Sequence, residues 1–321
     1  DTDYTPPLVP TPTPEASDRV WSLSGTSQPS GYFEWSISNK TSNTTFDQTS
    51  YEELFQIVFD RWDAIISQAP YTDWKCRVWV EYDPSNPNAL PVEGIWEDAE
   101  YLPDLLTATD PTTTSKTTTL TEIVNDFGKI FVTTALMSLN ASKIAELHDK
   151  LVWVSNTEKE RKLQSHMMRA VGQCIGVGVF NFASPEFLQK PVTEYQVGGS
   201  TKKYYTGENA VDQYKLYFPH HADNIIGLPI EDDEASGNFL EEGRHFDSTL
   251  ISKNEREISG KLHPGLENEL MTYYDDEVNS LSKITIGLLA DLGYTVDYTQ
   301  ADSFPEYRPR LNYTWKFDDV N

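Results

Sequence analysis

The stretch SHMMRAVGQCIGVGVF (165–180) decides how the rest of the chain is interpreted. It overlaps a longer segment, EKERKLQSHMMRAVGQCIGVG (158–178), in which apolar residues precede a cluster of glycines. Glycine is the usual stop signal of a helix, and glycines within one let another element approach closely. The sequence therefore predicts a long helix over 158–178 that ends in glycines.

Four other regular elements are predicted around this helix. Residues 50–69 have apolar side chains at three- and four-residue spacing, which predicts an amphipathic helix. Residues 75–82 alternate polar and apolar side chains like a half-buried strand, and a second strand is predicted over 128–140. An amphipathic helix is predicted over 281–294, with Gly293 at its C-terminal cap.

The remaining segments have weaker patterns. Residues 20–38 predict two short strands around a Gly/Pro turn, and residues 141–154 a short helix or a turn followed by a strand. Residues 83–91 are rich in turn residues and predict a loop. Residues 107–122 are Thr-rich, which is typical of an exposed loop or an O-glycosylated patch, and 181–246 predict irregular structure.

The composition is that of a folded, strongly acidic protein. The chain has 321 residues, of which 38% are hydrophobic and 12% aromatic, enough to form a core. The net charge of -25 disfavours binding to nucleic acid and to anionic membrane surfaces, and could attract Ca²⁺ or a basic partner. No apolar run approaches the ~20 residues that a membrane helix needs.

The two ends of the sequence indicate a secreted protein. The chain begins at Asp1 in a Pro/Thr-rich arm (1–18), which is typical of a mature N-terminus left by processing. A domain is predicted over 19–298, in two parts (19–178 and 179–298), followed by a tail (299–321). Four N-glycosylation sequons agree with secretion and lie at Asn39, Asn43, Asn140 and Asn312.

The cysteine content excludes a disulfide scaffold. The chain has two cysteines, Cys76 and Cys174. The sequence leaves two interpretations open, a single disulfide in an oxidising compartment or two buried thiols.

Three separated segments resemble one family, the metzincin zinc metallopeptidases, and are most similar to leishmanolysin-like secreted proteins. The segments are FDRWDAIISQAP (59–70), RAVGQCIGVGVF (169–180) and the stretch 267–298, which contains ELMT and LSKITIGLLADLGY. The first resembles the helix that opens the catalytic domain. The second resembles the active-site helix H-E-x-x-H-x-x-G, with Gly176 retained, and the third resembles the Met-turn and the closing helix. The resemblance covers about residues 50–298.

The resemblance also implies which residues would hold zinc. In this pattern two His one turn apart bind the metal, a Glu between them takes a proton from the zinc-bound water, and a distant third His completes the coordination. The corresponding positions here are Arg169, Ala170 and Gln173, with His245 as the third ligand and Met271 as the Met-turn residue. A guanidinium is always charged and offers no lone pair, and Ala170 cannot act as a base. The resemblance therefore implies a degenerate site without zinc.

Other residues could replace the lost ligands only by forming a new constellation. The six histidines are His148, His166, His220, His221, His245 and His263. None is spaced four residues from another, although His166 could share a helix face with Arg169. An alternative hypothesis is that Arg169 forms a salt bridge with a carboxylate of 231–234. The acidic loop 231–238 and the loop 83–88 could hold Ca²⁺, but neither has the spacing of an EF-hand.

Taken together, these observations predict an α+β fold of metzincin type with a twisted sheet and an irregular C-terminal half. The expected function is that of a pseudoenzyme: a secreted glycoprotein that forms a structural subunit of an extracellular filament, appendage, matrix or virion surface. The arm 1–18 and the tail 307–321 are the expected contacts for self-association into a homo-oligomer. Two alternatives remain, an active zinc metallopeptidase with relocated ligands and a module that binds peptides in the vestigial cleft.

Overall fold

The computed structural model describes fourteen parts of the chain. These are residues 21, 23–27, 31–39, 48–83, 92–103, 128–155, 158–178, 192–197, 200–231, 246, 257–258, 261–266, 268–272 and 278–303. The arm 1–18, the tail from 304 onward, and the loops 84–91 and 107–122 lie outside them. The described residues form an α+β fold.

The main sheet has five strands in the order β1-β2-β4-β6-β5. Its strands are β1 (Gly25–Thr26), β2 (Phe33–Asn39), β4 (Cys76–Asp83), β5 (Val92–Pro103) and β6 (Gly128–Asn140). Strands β2, β4 and β6 are mutually parallel, whereas β1 and β5 run antiparallel at the two edges. Parallel strands need crossover connections, and helix α1 (Gln48–Ile65) supplies the one between β2 and β4.

Smaller elements complete the described structure. Beside α1, its helices are α2 (Ala141–His148), α3 (Lys162–Cys174), α4 (Glu208–Tyr217) and α5 (Lys283–Asp291), with short 3₁₀ turns at Pro219–His221 and Tyr298–Gln300. The remaining strands are β3 (Ile66–Gln68), β7 (Leu151–Trp153), β8 (Lys159–Arg161), β9 (Val192–Val197), β10 (Ser200–Tyr205), β11 (Leu228–Pro229), β12 (Glu257–Ile258), β13 (Lys261–Leu262) and β14 (Thr295–Val296). They pair as β9-β10-β11, β12-β13, β3-β14 and β7-β8.

Helix α1 is fixed between the sheet and α3 by aromatic side chains. The rings of Phe59 and Trp35 stack with centroids 4.7 Å apart, which joins α1 to β2. Trp62 donates its indole N–H to the carbonyl oxygen of Met168 at 2.9 Å, which joins α1 to α3. All four side chains are buried. The apolar stripe predicted over 50–69 is therefore core packing.

The C-terminal part packs on the same core. Tyr294, just after α5, makes edge contacts with Phe131 of β6 and with Trp74. Strand β14 pairs with β3, and the Asp297 amide donates to the carbonyl oxygen of Ile65 at 2.8 Å. The two predicted parts of the domain thus share one hydrophobic core.

Most predicted elements are confirmed. The helices predicted over 50–69 and 281–294 correspond to α1 and α5, and the strands over 75–82 and 128–140 correspond to β4 and β6. The two short strands within 20–38 are β1 and β2, and residues 141–154 form both a helix and a strand. Strand β5 has no counterpart among the predicted elements.

Three predictions were wrong. Residues 181–246 are not irregular throughout, since they contain β9, β10, β11 and α4. The helix predicted from 158 starts at Lys162, because 159–161 pair with β7 instead. The helix predicted over 50–69 ends at Ile65, because 66–68 form β3 and pair with β14 instead. Asp302, in the predicted tail, accepts hydrogen bonds from Arg61 and from the Leu281 amide.

Candidate functional site

Helix α3 lies in the centre of the molecule. Its residues from Ser165 to Cys174 are all buried, so it is enclosed on every side. The helix ends at Cys174, and the chain then turns through Gly176 (φ 98°) and Gly178 (φ 77°). Residues with a side chain rarely adopt such positive φ values, so these two glycines permit the predicted turn.

Arg169 points from α3 toward the segment 268–272. Only 9% of the residue is exposed, and its Nε atom donates to the carbonyl oxygen of Leu270 at 2.9 Å. A buried guanidinium needs hydrogen-bond acceptors, and this carbonyl is one of them. The hypothesis that Arg169 also pairs with a carboxylate of 231–234 stays a prediction: Glu231 is buried, and 232–234 lie outside the described residues.

Ala170 and Gln173 lie on the same helix and are also buried. The carbonyl oxygen of Ala170 comes so close to Gly94 of β5 that a Cβ atom on Gly94 would collide with it. The edge strand of the main sheet therefore lies directly against the helix at Ala170. Glycine is needed at 94 because only a bare backbone fits there.

Met271 lies on the opposite side of α3 from β5. A Cβ atom on Gly172 would be 3.5 Å from the sulfur of Met271 and 3.0 Å from Trp62, so the glycine lets both side chains approach the helix. The carbonyl oxygen of Met271 accepts from the Phe246 amide at 3.1 Å. The Met271 side chain is fully buried and fills the space beside α3.

Glu269 holds the turn that carries Met271 and was not singled out by sequence reasoning. It accepts from the amides of Met271 (2.5 Å) and Ser282 (3.2 Å), and from the hydroxyls of Ser282 (2.8 Å) and Thr285 (2.5 Å). Complete burial raises the pKa of this carboxyl to about 6, although these donors act in the opposite direction. The sequence carried little signal for this residue, since Glu269 stands in ENE (267–269) like an ordinary acid of a polar segment.

The described histidines serve different purposes. His263 is a satisfied core residue: Nδ1 lies 2.8 Å from the Lys261 oxygen, and Nε2 accepts from the Ile226 amide at 3.0 Å. His148 contacts Asp149 at the surface, His166 is buried in α3, and His220 and His221 lie in a 3₁₀ turn. His245 lies outside the described residues. Across the described residues, no three His, Cys, Asp or Glu side chains are grouped as metal ligands would be.

The two cysteines are buried thiols, and the structure contains no disulfide between them. Burial raises the pKa of Cys76 well above its ordinary range. The Cys174 thiol donates to the Leu136 carbonyl oxygen at 3.5 Å. Of the two interpretations left open by the sequence, the structure has the two buried thiols.

Two of the four sequons fall within the described residues. Asn140 ends β6 and is only 4% exposed, which leaves no space for a glycan on the folded chain. Asn39 is the last residue of β2. Asn43 and Asn312 lie outside the described residues.

Comparison with family models, with curated protein sequences and with solved structures finds no match. Within the part of the chain that the structure describes, no helix is both long and apolar enough to cross a membrane.

Proposed function

We propose that this chain is a metzincin-type metallopeptidase body, of leishmanolysin-like kind, that works without zinc as a structural or interaction protein. The observation that carries the proposal is the buried guanidinium of Arg169 at the position of the first metal ligand. A cation bound there would meet a permanent positive charge in a medium of low dielectric, where repulsion is strong.

The other two positions of the motif agree with this interpretation. The methyl group of Ala170 cannot accept the proton that a general base must take from water. Gln173 carries an amide, which binds zinc far more weakly than imidazole does. The only ligand retained by the resemblance is His245, and one imidazole does not hold zinc by itself.

Three structural observations support the resemblance itself. Gly176 turns the chain at the end of α3, as the glycine of the motif implies. Met271 lies beside α3 at Gly172, as the Met-turn implies. The amide of Phe246, the residue after His245 in sequence, is bonded to the carbonyl oxygen of Met271.

The assembly role is supported by the ends of the sequence. The Pro/Thr-rich arm (1–18) favours extended geometry, and the tail 307–321 alternates aromatic and polar residues like a strand that could pair with a neighbour's sheet edge. We also propose secretion to an extracellular, cell or virion surface, with which the other three sequons at Asn39, Asn43 and Asn312 agree. A homo-oligomer or filament is the proposed product.

A purified sample tests the proposal in two measurements. Protease activity is assayed against unfolded protein with and without a zinc chelator, and the size of the particles is followed with concentration. The proposal predicts no chelator-sensitive cleavage and growth of particles that is lost on removing residues 1–18. Chelator-sensitive cleavage would instead establish an active enzyme with relocated ligands. Capture of peptides without cleavage by a monomeric chain would favour the binding module.

A further inference from the structure

Three charged side chains meet where the C-terminal segment returns to the domain. Arg61 of α1 contacts Asp302 at 2.5 Å through Nη2 and Glu160 of β8 at 3.5 Å through Nη1. The carboxylate of Asp302 also accepts from the Leu281 amide at 2.8 Å, next to the start of α5. The Asp302 carboxylate therefore ties the segment 298–303 to α1 and to Leu281, whose carbonyl oxygen also accepts from the Asp302 amide at 2.9 Å.

The cluster carries one cation for two carboxylates in a site with little water. The side chains of Glu160 and Asp302 are 9% and 10% exposed, whereas Arg61 is 21% exposed. With both acids ionised the three groups have a net charge of −1. When Glu160 is protonated, the net charge of the three groups is zero and Arg61 forms an ion pair with Asp302 alone. The second state costs less desolvation and removes the repulsion between the two acids.

The other groups that the structure places against the two carboxylates are polar or acidic. From α3, Gln164 donates an N–H to Glu160 at 2.8 Å. The negative charge of Glu158, just before β8, acts to raise the pKa of Asp302. The charge of Asp302 in turn acts to raise the pKa of the Tyr217 hydroxyl of α4. Burial, together with the charge of Asp302, raises the pKa of Glu160 to about 7, although Arg61 acts against the rise.

We infer that Arg61, Glu160 and Asp302 form a pH-dependent clamp that holds the segment 298–303 firmly when Glu160 is protonated and loosens when Glu160 ionises. This inference does not depend on the proposed function. The segment ends at residue 303, so the clamp fixes the position of the last described residues of the chain.

The direction follows from proton linkage. Opening of the segment removes the charge of Asp302 and part of the burial, which together hold the pKa of Glu160 at about 7. In the window between the ordinary value of 4.5 and about 7, the clamped state therefore binds more protons than the open state. The clamp therefore opens more readily as pH rises through that window, by up to roughly tenfold per pH unit.

Hydrogen exchange at the Leu281 amide tests the inference, because this amide donates directly to Asp302. Protection is measured at about pH 5.5 and about pH 7.5 and corrected for the intrinsic effect of pH on exchange. We expect protection at Leu281 to fall roughly tenfold or more, while the amides of β4 change less. The variant Glu160→Gln should remove the pH dependence, since its amide does not titrate.

The control is Glu194→Gln, which alters an exposed acid near Lys203 and should leave the pH dependence intact. Equal protection of Leu281 at both pH values would overturn the inference, as would an unchanged pH dependence in Glu160→Gln. If Glu160→Gln does not fold, Asp302→Asn provides the second variant. It should lower protection at the lower pH to the level that the natural chain shows at the higher pH, and retention of high protection would contradict the clamp.

Discussion

The Nε atom of Arg169 lies 2.9 Å from the carbonyl oxygen of Leu270, a residue 101 positions later in the chain. Leu270 immediately precedes Met271, so the bond ties α3 to the turn beneath it. Under the proposed function, zinc would be held on α3 above this turn. The guanidinium of Arg169 instead bonds the helix directly to the turn.

Replacement of Arg169 by Met should destabilise the protein. Methionine fills much of the same volume but cannot donate to Leu270, so a buried carbonyl loses its partner, at a cost of about 1–3 kcal/mol in the free energy of unfolding. Urea denaturation measures the change. Arg77→Met is the matched control: Arg77 is 58% exposed and pairs with Glu34 at the surface, so its loss should cost below about 1 kcal/mol. Equal costs would contradict the structural role of Arg169.

Replacement of Glu269 by Ala should be more damaging. It removes the acceptor for two amides and two hydroxyls, all buried, and separates the Met271 turn from the start of α5. Since bonds to a charged acceptor are the stronger kind, we expect a loss of roughly 3 kcal/mol or more. Thermal unfolding measures it, and a loss smaller than that of Arg169→Met would show that the turn does not depend on Glu269.

The pH dependence of Glu269 has a definite sign. The pKa of its carboxyl is raised from 4.5 to about 6 in the folded chain, so the folded state binds more protons in that interval. Its contribution to stability is complete below 4.5 and is lost as pH rises through about 6, by about 2 kcal/mol. Glu269→Gln should show a smaller decline in stability over this interval. An identical decline in both proteins would contradict the assignment.

Two glycines near α3 should differ sharply in their tolerance of a methyl group. Gly94→Ala would drive Cβ into the carbonyl oxygen of Ala170, which is main chain and cannot rotate away. Gly172→Ala meets only the side chains of Trp62 and Met271, at 3.0 and 3.5 Å. We expect a loss of about 2–3 kcal/mol for Gly94→Ala and below about 1 kcal/mol for Gly172→Ala, measured by urea denaturation. The reverse order would contradict the packing of β5 on α3.

His263 should make the protein sensitive to acid. Burial lowers the pKa of its imidazole below the ordinary 6.5, and the charges of Lys261 and His221 act in the same direction. A lowered pKa gives stability that is present above 6.5 and lost as pH falls through the folded value, since protonated Nε2 cannot accept from the Ile226 amide. His263→Gln keeps a donor and an acceptor but does not titrate, so it should lose less stability on acidification. His220→Gln, on an exposed residue, is the control and should behave like the natural chain.

The elements found from sequence are those whose signal is local. Helix α5 has its own cap, since the Ser282 side chain accepts from the amides of Ile284 and Thr285, and Gly293 ends it at φ 101°. Helix α1 has an apolar stripe whose Leu54, Val58, Trp62 and Ile65 are buried in the core, although Ile57 is exposed. In both cases the pattern in the sequence and the contacts in the fold coincide.

Helix α4 could not be found in this way, because its cap comes from far along the chain. Its N-cap is Gly207, which has no side chain to accept from the first amides. The carboxylate of Asp291, at the end of α5, accepts instead from the amides of Asn209 and Ala210. Close packing of Gly287 on Ala210 holds the two helices together. Strands β9 and β10, by contrast, did have a local signal in the sequence, the Gly-Gly pair at 198–199 between them.

The sequence predicted that Arg169, Ala170 and Gln173 lie on one helix, and all three are buried in α3. Their contacts were not predictable. One partner of Arg169 is a main-chain oxygen, which no pattern of residue types can reveal. Glu269 was missed for the same reason, since its role depends on the meeting of two distant segments.

Zinc content is the most direct test of the claim that Arg169 prevents metal binding. It is measured by elemental analysis, after dialysis against zinc, on the natural chain and on the variant R169H/A170E/Q173H, which restores the motif on α3. We expect no stoichiometric zinc in the natural chain and a gain of zinc in the folded variant, because two imidazoles then face one side of the helix. Stoichiometric zinc in the natural chain, lost when His245 is replaced by Ala, would contradict the account.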